Sequence, residues 1–173
     1  MKVKEKLKGK ILIANPNLED PNFNGTVILI AEHDSNGAIG FILNRQIGKL
    51  DKSGFYISEG GPVDTNTFWG ISQNKQFNFL KIRNGLYYGK INSNPEENED
   101  FLTDDRMLFF IGCSGWTKNQ LENEINAETW IVDDTSIKNI FSKKGVKMWI
   151  KEISKSKPEF KWTESLTEDP SRN

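Results

Sequence analysis

Two hydrophobic patterns alternate along this chain. Short continuous apolar runs, such as Ile11–Ala14, Val27–Ala31 and Met107–Ile111, are bounded by turn-forming residues. A run of this kind suits a strand covered on both faces. It predicts strands over Lys10–Ala14, closed by Asn15-Pro16, and over Thr26–Glu32. Asn36-Gly37 between apolar runs is a hairpin signal. It sends the chain back through a strand over Ala38–Leu43, in which Gly40 marks a bulge or a close backbone approach. Further strands are predicted over Phe55–Ser58, Thr67–Ser72, Phe77–Ile82, Leu86–Tyr88, Met107–Ile111 and Thr129–Val132. Gly60-Gly61-Pro62 reads as a turn, and Arg83-Asn84-Gly85 as a hairpin loop.

Helical signals are fewer. Asn94 as N-cap with Pro95 behind it predicts a short helix. Thr117 with Gln120 three residues later fits a capping box for a helix over Lys118–Asn126. Asp133–Thr135 cap a last helical region, which runs to Phe141 and, after Gly145, to Ile153. Lys143-Lys144-Gly145 reads as a basic last turn with a C-cap glycine. Many strands with a few helices give an α+β (mixed α/β) domain. The expected division is one domain over residues 1–153 and a polar tail over 154–173. Phe160 and Trp162 are the tail residues able to pack on the body.

Composition narrows the function classes. With 173 residues, a core can form without disulfides or metal. One Cys cannot form an internal disulfide, and one His with one Cys cannot build a Cys/His zinc site. The net charge is −1 and only Arg45, Arg83, Arg106 and Arg172 are arginines, which argues against a nucleic-acid footprint. Gly60-Gly61-Pro62-Val63 is not a P-loop, because no Gly-Lys-Ser/Thr follows, and no cofactor is expected. The N-terminal lysines precede an apolar run too short for a secretory core of roughly 7–15 residues. It is also far short of the about 20 residues of a membrane span. The expected location is cytoplasmic.

Three blocks carry a family resemblance. The first runs from Leu12-Ile13-Ala14-Asn15-Pro16 through Asp20-Pro21-Asn22-Phe23 and Glu32-His33-Asp34 to Gly40-Phe41-Ile42-Leu43-Asn44-Arg45. The second is Gly60-Gly61-Pro62-Val63. The third runs from Gly112-Cys113-Ser114-Gly115-Trp116 through Gln120-Leu121-Glu122 to Trp130. In this order they resemble the AlgH/YqgE family of small bacterial proteins. Gln46, Cys113, Ser114 and Asn119 stand where the family often has proline, tyrosine, alanine and glycine. The resemblance implies a single compact domain with a curled sheet flanked by helices and crossed loops. The family takes its name from a genetic link to control of alginate synthesis and is often labelled a transcriptional regulator. It implies no enzymatic activity.

The candidate chemistry lies in the same blocks. His33 between Glu32 and Asp34 could serve as a base or fix a strand end. Asn44 could satisfy backbone groups, and Arg45 could clamp a carboxylate or phosphate. Gly60, Gly61 and Pro62 could form a turn or let an anion approach the backbone. Cys113, Ser114, Gly115 and Trp116 are expected between a strand and a helix N-terminus, where a thiol pKa is lowered and anions bind. Glu122 and Glu124 read as solvated helix surface, and Asp104-Asp105 as caps. No catalytic set is complete and no metal site is indicated. The expected function is a non-enzymatic regulatory or binding protein acting through a small anionic ligand or a protein partner. The alternatives are an enzyme on a small anionic substrate and a regulator that binds DNA directly. The enzyme and ligand readings both need the three blocks to converge on one concave pocket; blocks that lie apart and buried would be structural.

Overall fold

The computed structural model describes residues 6–49, 55–76, 78–92, 106–142 and 145–168. The helix expected at Asn94-Pro95, the Asp104-Asp105 caps and the basic turn at Lys143-Lys144 lie outside them. The first hairpin follows its sequence closely. β1 (Ile11–Ala14), β2 (Val27–Asp34) and β3 (Gly37–Ile42) form an antiparallel meander around the Asn-Gly turn. The register slips between Ile30 and Glu32, so Ala31 is the bulged residue opposite Gly40. A Cβ at Gly40 would lie 2.9 Å from the Leu29 carbonyl oxygen. The glycine therefore permits the close approach that its position in the strand suggested.

Seven further strands and three α-helices complete the described chain. They are β4 (Gln46–Lys49), β5 (Tyr56–Glu59), β6 (Val63–Ser72), β7 (Leu80–Arg83), β8 (Leu86–Ile91), β9 (Met107–Thr117), α1 (Gln120–Asn126), β10 (Trp130–Asp133), α2 (Ile137–Ile140) and α3 (Val146–Ser156). A 3-10 segment over Pro158–Glu168 follows α3. The sheet runs β10-β1-β2-β3-β9-β6-β8-β7, with β5 also beside β9 and β4 beside β5. Every pairing is antiparallel except β5 with β9. The result is a large α+β domain with helices on an open, curled sheet.

The continuous apolar runs are explained by two cores. Ile11, Ile13, Val27, Leu29, Phe41 and Leu43 face one core, closed by Met148, Trp149, Ile150 and Ile153 of α3 and by Trp69, Ile71 and Tyr88 of the curled sheet. Leu12, Ala14, Ile28, Ile30 and Ile42 face the other, covered by Leu7, Trp116, Leu121 and Trp130. Alternate side chains thus meet different cores, and no position of the run reaches solvent. Phe79, Ile91, Met107 and Phe109 form a third cluster on the outer half of the sheet.

Four expectations are corrected. Gly145 has φ 107° and is the N-cap of α3, not the C-cap of a preceding helix. α2 is capped at its N-terminus by Ser136, not by Asp133–Thr135, and the Ser136 side chain accepts from the Asn139 N–H. Only half of the capping box at α1 forms. The Thr117 N–H donates to Gln120 Oε1 at 3.0 Å, while Asn119 is the N-cap in a left-handed conformation with φ 62°. Asparagine is among the few non-glycine residues that adopt this region readily. The departure from glycine at 119 therefore keeps the backbone shape. Finally, Gly60-Gly61-Pro62 is no ordinary turn. β5 and β6 flank the same residues of β9, Phe109 to Ile111, on opposite edges. The glycines carry the chain across β9 from one edge to the other.

Candidate functional site

The crossing gathers two of the family blocks. The Gly60 N–H donates to the Ile111 carbonyl, and the Gly60 carbonyl accepts from the Ile42 N–H and from Ser114 Oγ, each at 2.9–3.0 Å. A Cβ at Gly60 would stand 2.3 Å from the Gly112 carbonyl oxygen, and one at Gly61 2.4 Å from the Cys113 carbonyl oxygen. Backbone lies on backbone here, and Ser114 has no solvent exposure at all. No ligand can enter between them. The Ser114 hydroxyl holds the crossing together.

The expected junction at Cys113–Trp116 is also corrected. β9 continues through Thr117, so Cys113 lies within a strand and not at a helix N-terminus. The thiol is 4% exposed. Burial, with a smaller push from Asp64 and an opposing pull from Lys90, raises its pKa from 9.0 to about 11. That is the reverse of an activated thiol. A raised thiol contributes stability that is complete below pH 9.0 and lost as the pH climbs through about 11. Unfolding followed across that alkaline window should therefore show a steeper loss in the wild type than in Cys113→Ala. Identical slopes would contradict the assignment. Native Cys113 should also resist iodoacetamide near neutral pH and react once the chain is unfolded.

His33 is held on both ring nitrogens. The Leu7 N–H donates to Nδ1 at 3.3 Å, which places the ring hydrogen on Nε2, 2.6 Å from Glu122 Oε1. Glu32 points elsewhere and pairs with Lys8 at 2.8 Å. Glu122 and Glu124 are therefore not solvated surface. Glu124 Oε2 accepts the indole N–H groups of both Trp116 and Trp130 at 2.8 Å, and its Oε1 accepts from Gln120. Trp116 packs against Phe23 and Trp130. A sequence signal for this node existed: two tryptophans bound for a core need acceptors for their N–H groups.

Asn44 and Arg45 occupy a different place. Asn44 Oδ1 accepts from the Val27 N–H at 2.8 Å, and its amide donates to the carbonyls of Gly25 at 2.9 Å and Gly145 at 3.2 Å. Asn44 ties β2, the loop before it and the start of α3. Arg45 Nη1 donates to the Asn22 carbonyl at 2.7 Å and Nη2 reaches the Asn24 carbonyl at 3.5 Å. Both residues line an open groove of about 580 Å³, walled by Pro16, Leu18, Thr26, Val146, Trp149 and Trp162. Trp162 is 53% exposed.

The sequence-derived candidates thus separate into three places. Gly60, Gly61, Cys113 and Ser114 form a buried crossing, with Pro62 and Gly115 exposed beside it. His33 and Trp116 brace α1. Asn44 and Arg45 open onto a cavity of ligand size, and Trp116 borders a second one of about 500 Å³ beside Glu32 and Asp34. Trp149, Leu18 and Trp162, which complete that groove, carried no motif in the sequence. Among the described residues, no cluster of His, Cys, Asp and Glu could hold a metal ion. No described helix is long and apolar enough to cross a membrane.

Comparison with known proteins agrees with this architecture. The solution structure of the AlgH protein from Pseudomonas aeruginosa superposes with a TM-score of 0.74 at 22% identity, covering 90% of this chain and 91% of that one. The crystal structure of a Corynebacterium diphtheriae protein gives 0.72 at 23% identity and 90% coverage of both. A UPF0301 protein of Chlorobaculum tepidum is 30% identical over 177 residues, 95% of each chain. A UPF0301 protein of Cytophaga hutchinsonii is 31% identical over 96% of this chain and 98% of its own. The AlgH-like family model matches residues 11–161. The family match over most of the chain, with relatives at 30–31% identity along nearly its whole length, makes this chain a member of the AlgH-like family.

Proposed function

We propose that the chain is a non-enzymatic binding protein of the cytosol, regulatory in role, that acts through a small ligand or a protein partner at the Asn44–Arg45 groove. The observation that supports this is the dispersal of the candidate groups. Nucleophilic catalysis needs a nucleophile, a base and an orienting group within hydrogen-bond reach. Here Ser114 is bonded to Gly60, His33 to Leu7 and Glu122, and Cys113 is buried with a raised pKa. The three blocks do not meet in one concave pocket, as an enzyme on a small anion or a ligand site built from all three would require; the groove draws on the first block alone. Of the two open grooves that hold sequence candidates among the described residues, this one carries a cation and the other carboxylates. In this reading residues 1–153 form the body, and the tail over 154–173 lends Trp162 to the groove wall.

The test is a thermal-shift screen against nucleotides and phosphorylated or carboxylated metabolites. A ligand at 100 times its dissociation constant stabilises a fold by about 2.7 kcal/mol. A hit should vanish in both Arg45→Ala and Trp162→Ala. Gly61→Val cannot serve as a probe of binding, because its side chain would collide with Cys113. Hits indifferent to both groove variants, or a panel without hits, would count against the groove as a small-molecule site. Steeply salt-sensitive binding to duplex DNA would instead favour direct regulation.

A further inference from the structure

We infer that the occupant of this groove is a small amphipathic anion, a carboxylate or phosphate carried on a planar apolar body. This rests on the binding role proposed above and adds the ligand class. Three observations carry it. First, among the described residues Arg45 is the only charged side chain lining the groove, and it forms no ion pair with any of them. Its contacts are two backbone carbonyls, which fix the guanidinium in place and leave other N–H donors for a ligand. A guanidinium held in this way loses little freedom when it binds an anion.

Second, three of the other polar side chains around it are already engaged. Asn44 makes three hydrogen bonds to the backbone, the Thr26 hydroxyl donates to the Phe23 carbonyl at 2.7 Å, and the Trp149 indole N–H donates to the Ala14 carbonyl at 2.8 Å. The Asn24 amide and the Trp162 indole N–H are the remaining polar side-chain groups of the wall, both neutral, so the charged contact falls to Arg45. Third, most of the rest of the wall is apolar, with the Trp149 ring, Leu18 and Val146 on the body and Trp162 standing 53% exposed at the rim. A half-exposed indole beside a cavity of about 580 Å³ offers a stacking face to a flat ring. A second groove has the opposite character. It is lined by Glu32, Asp34, Tyr88 and Trp116, and an anion should avoid it.

The indole N–H signals of the five tryptophans report on both places at once in ¹⁵N-labelled full-length protein. The probes are 2-naphthoate, 2-naphthyl phosphate and the neutral 2-naphthylmethanol. The two anions should shift Trp149 and Trp162 saturably and leave Trp116 and Trp130 unmoved. Arg45→Gln should weaken the anions by about tenfold or more, as for the loss of a charged hydrogen bond, with little effect on the alcohol. Trp162→Ala should weaken all three while the tether of Arg45 stays intact. The two anionic probes separate a carboxylate site from a phosphate site. Equal binding of the alcohol and the anions, indifferent to Arg45→Gln, would overturn the anion assignment and leave the binding role standing. Shifts spread over all five tryptophans would mark non-specific association and overturn it too. No shift of Trp149 or Trp162 with any probe would remove both the assignment and a small-molecule groove.

Discussion

Gly61→Ala should destabilise the fold by more than about 3 kcal/mol. The new Cβ would lie 2.3 Å from Ser114 Oγ and 2.4 Å from both the carbonyl carbon and oxygen of Cys113. Rotation of Ser114 could relieve the first contact. It cannot relieve the other two, because the obstacle is the backbone of β9. That strand is held on both edges, by β5 and β3 on one side and by β6 on the other. The residue also has φ 152°, where a side chain adds strain. Gly25→Ala is the matched control. Gly25 has φ 65° but nothing within 4 Å of a built Cβ, so it pays only for the left-handed backbone. That cost is about 1–2 kcal/mol. Urea unfolding of the two variants separates collision from backbone strain. A Gly61→Ala protein as stable as Gly25→Ala would mean that the crossing is looser than described.

Asn44→Ala should cost about 2–4 kcal/mol. The substitution leaves the Val27 N–H without its acceptor and strips a donor from the carbonyls of Gly25 and Gly145. Asn44 is itself only 9% exposed, so water replaces these bonds poorly. In a chain of this length each kcal/mol moves the unfolding midpoint by about 2–4 °C. Scanning calorimetry should therefore show a clear drop for Asn44→Ala with no ligand present. A variant that unfolds like the wild type would return Asn44 to the list of ligand-binding side chains. Arg45→Gln should cost far less, because its carbonyl contacts lie on the exposed loop.

These two residues show how far sequence reading reaches. Asn44 was expected either to satisfy backbone groups or to meet a ligand, and the sequence leaves both open. Its bond to the Gly145 carbonyl, 101 positions away, supplies the first. Gly60-Gly61-Pro62 looks like a turn because glycine and proline punctuate turns wherever they occur. A strand crossing uses the same residues for a different reason, namely the absence of a side chain between two backbones. Only the position of β9 distinguishes the two. Trp116 was a candidate ligand contact and Trp130 a strand residue, and the structure places both in a core. Their shared acceptor, Glu124, appeared to be surface because alternating acids on a short helix usually are.

The sequence by itself determined the local elements and the class of fold. Continuous apolar runs read as strands buried on both faces, and Asn36-Gly37 as a hairpin. The ordered blocks pointed to an AlgH-like domain. These features are local, since each is set by the propensity, periodicity or turn chemistry of a few neighbouring residues. The tertiary structure decided the rest. It placed Cys113 inside β9, so that burial raises its pKa where a helix N-terminus would have lowered it. It scattered His33, Ser114 and Arg45 among a helix brace, a buried crossing and an open groove. The groove itself needs Leu18, Trp149 and Trp162 from distant parts of the chain. None of them carries a local signal, because a cavity wall is defined by which surfaces meet and no short stretch of sequence encodes that meeting.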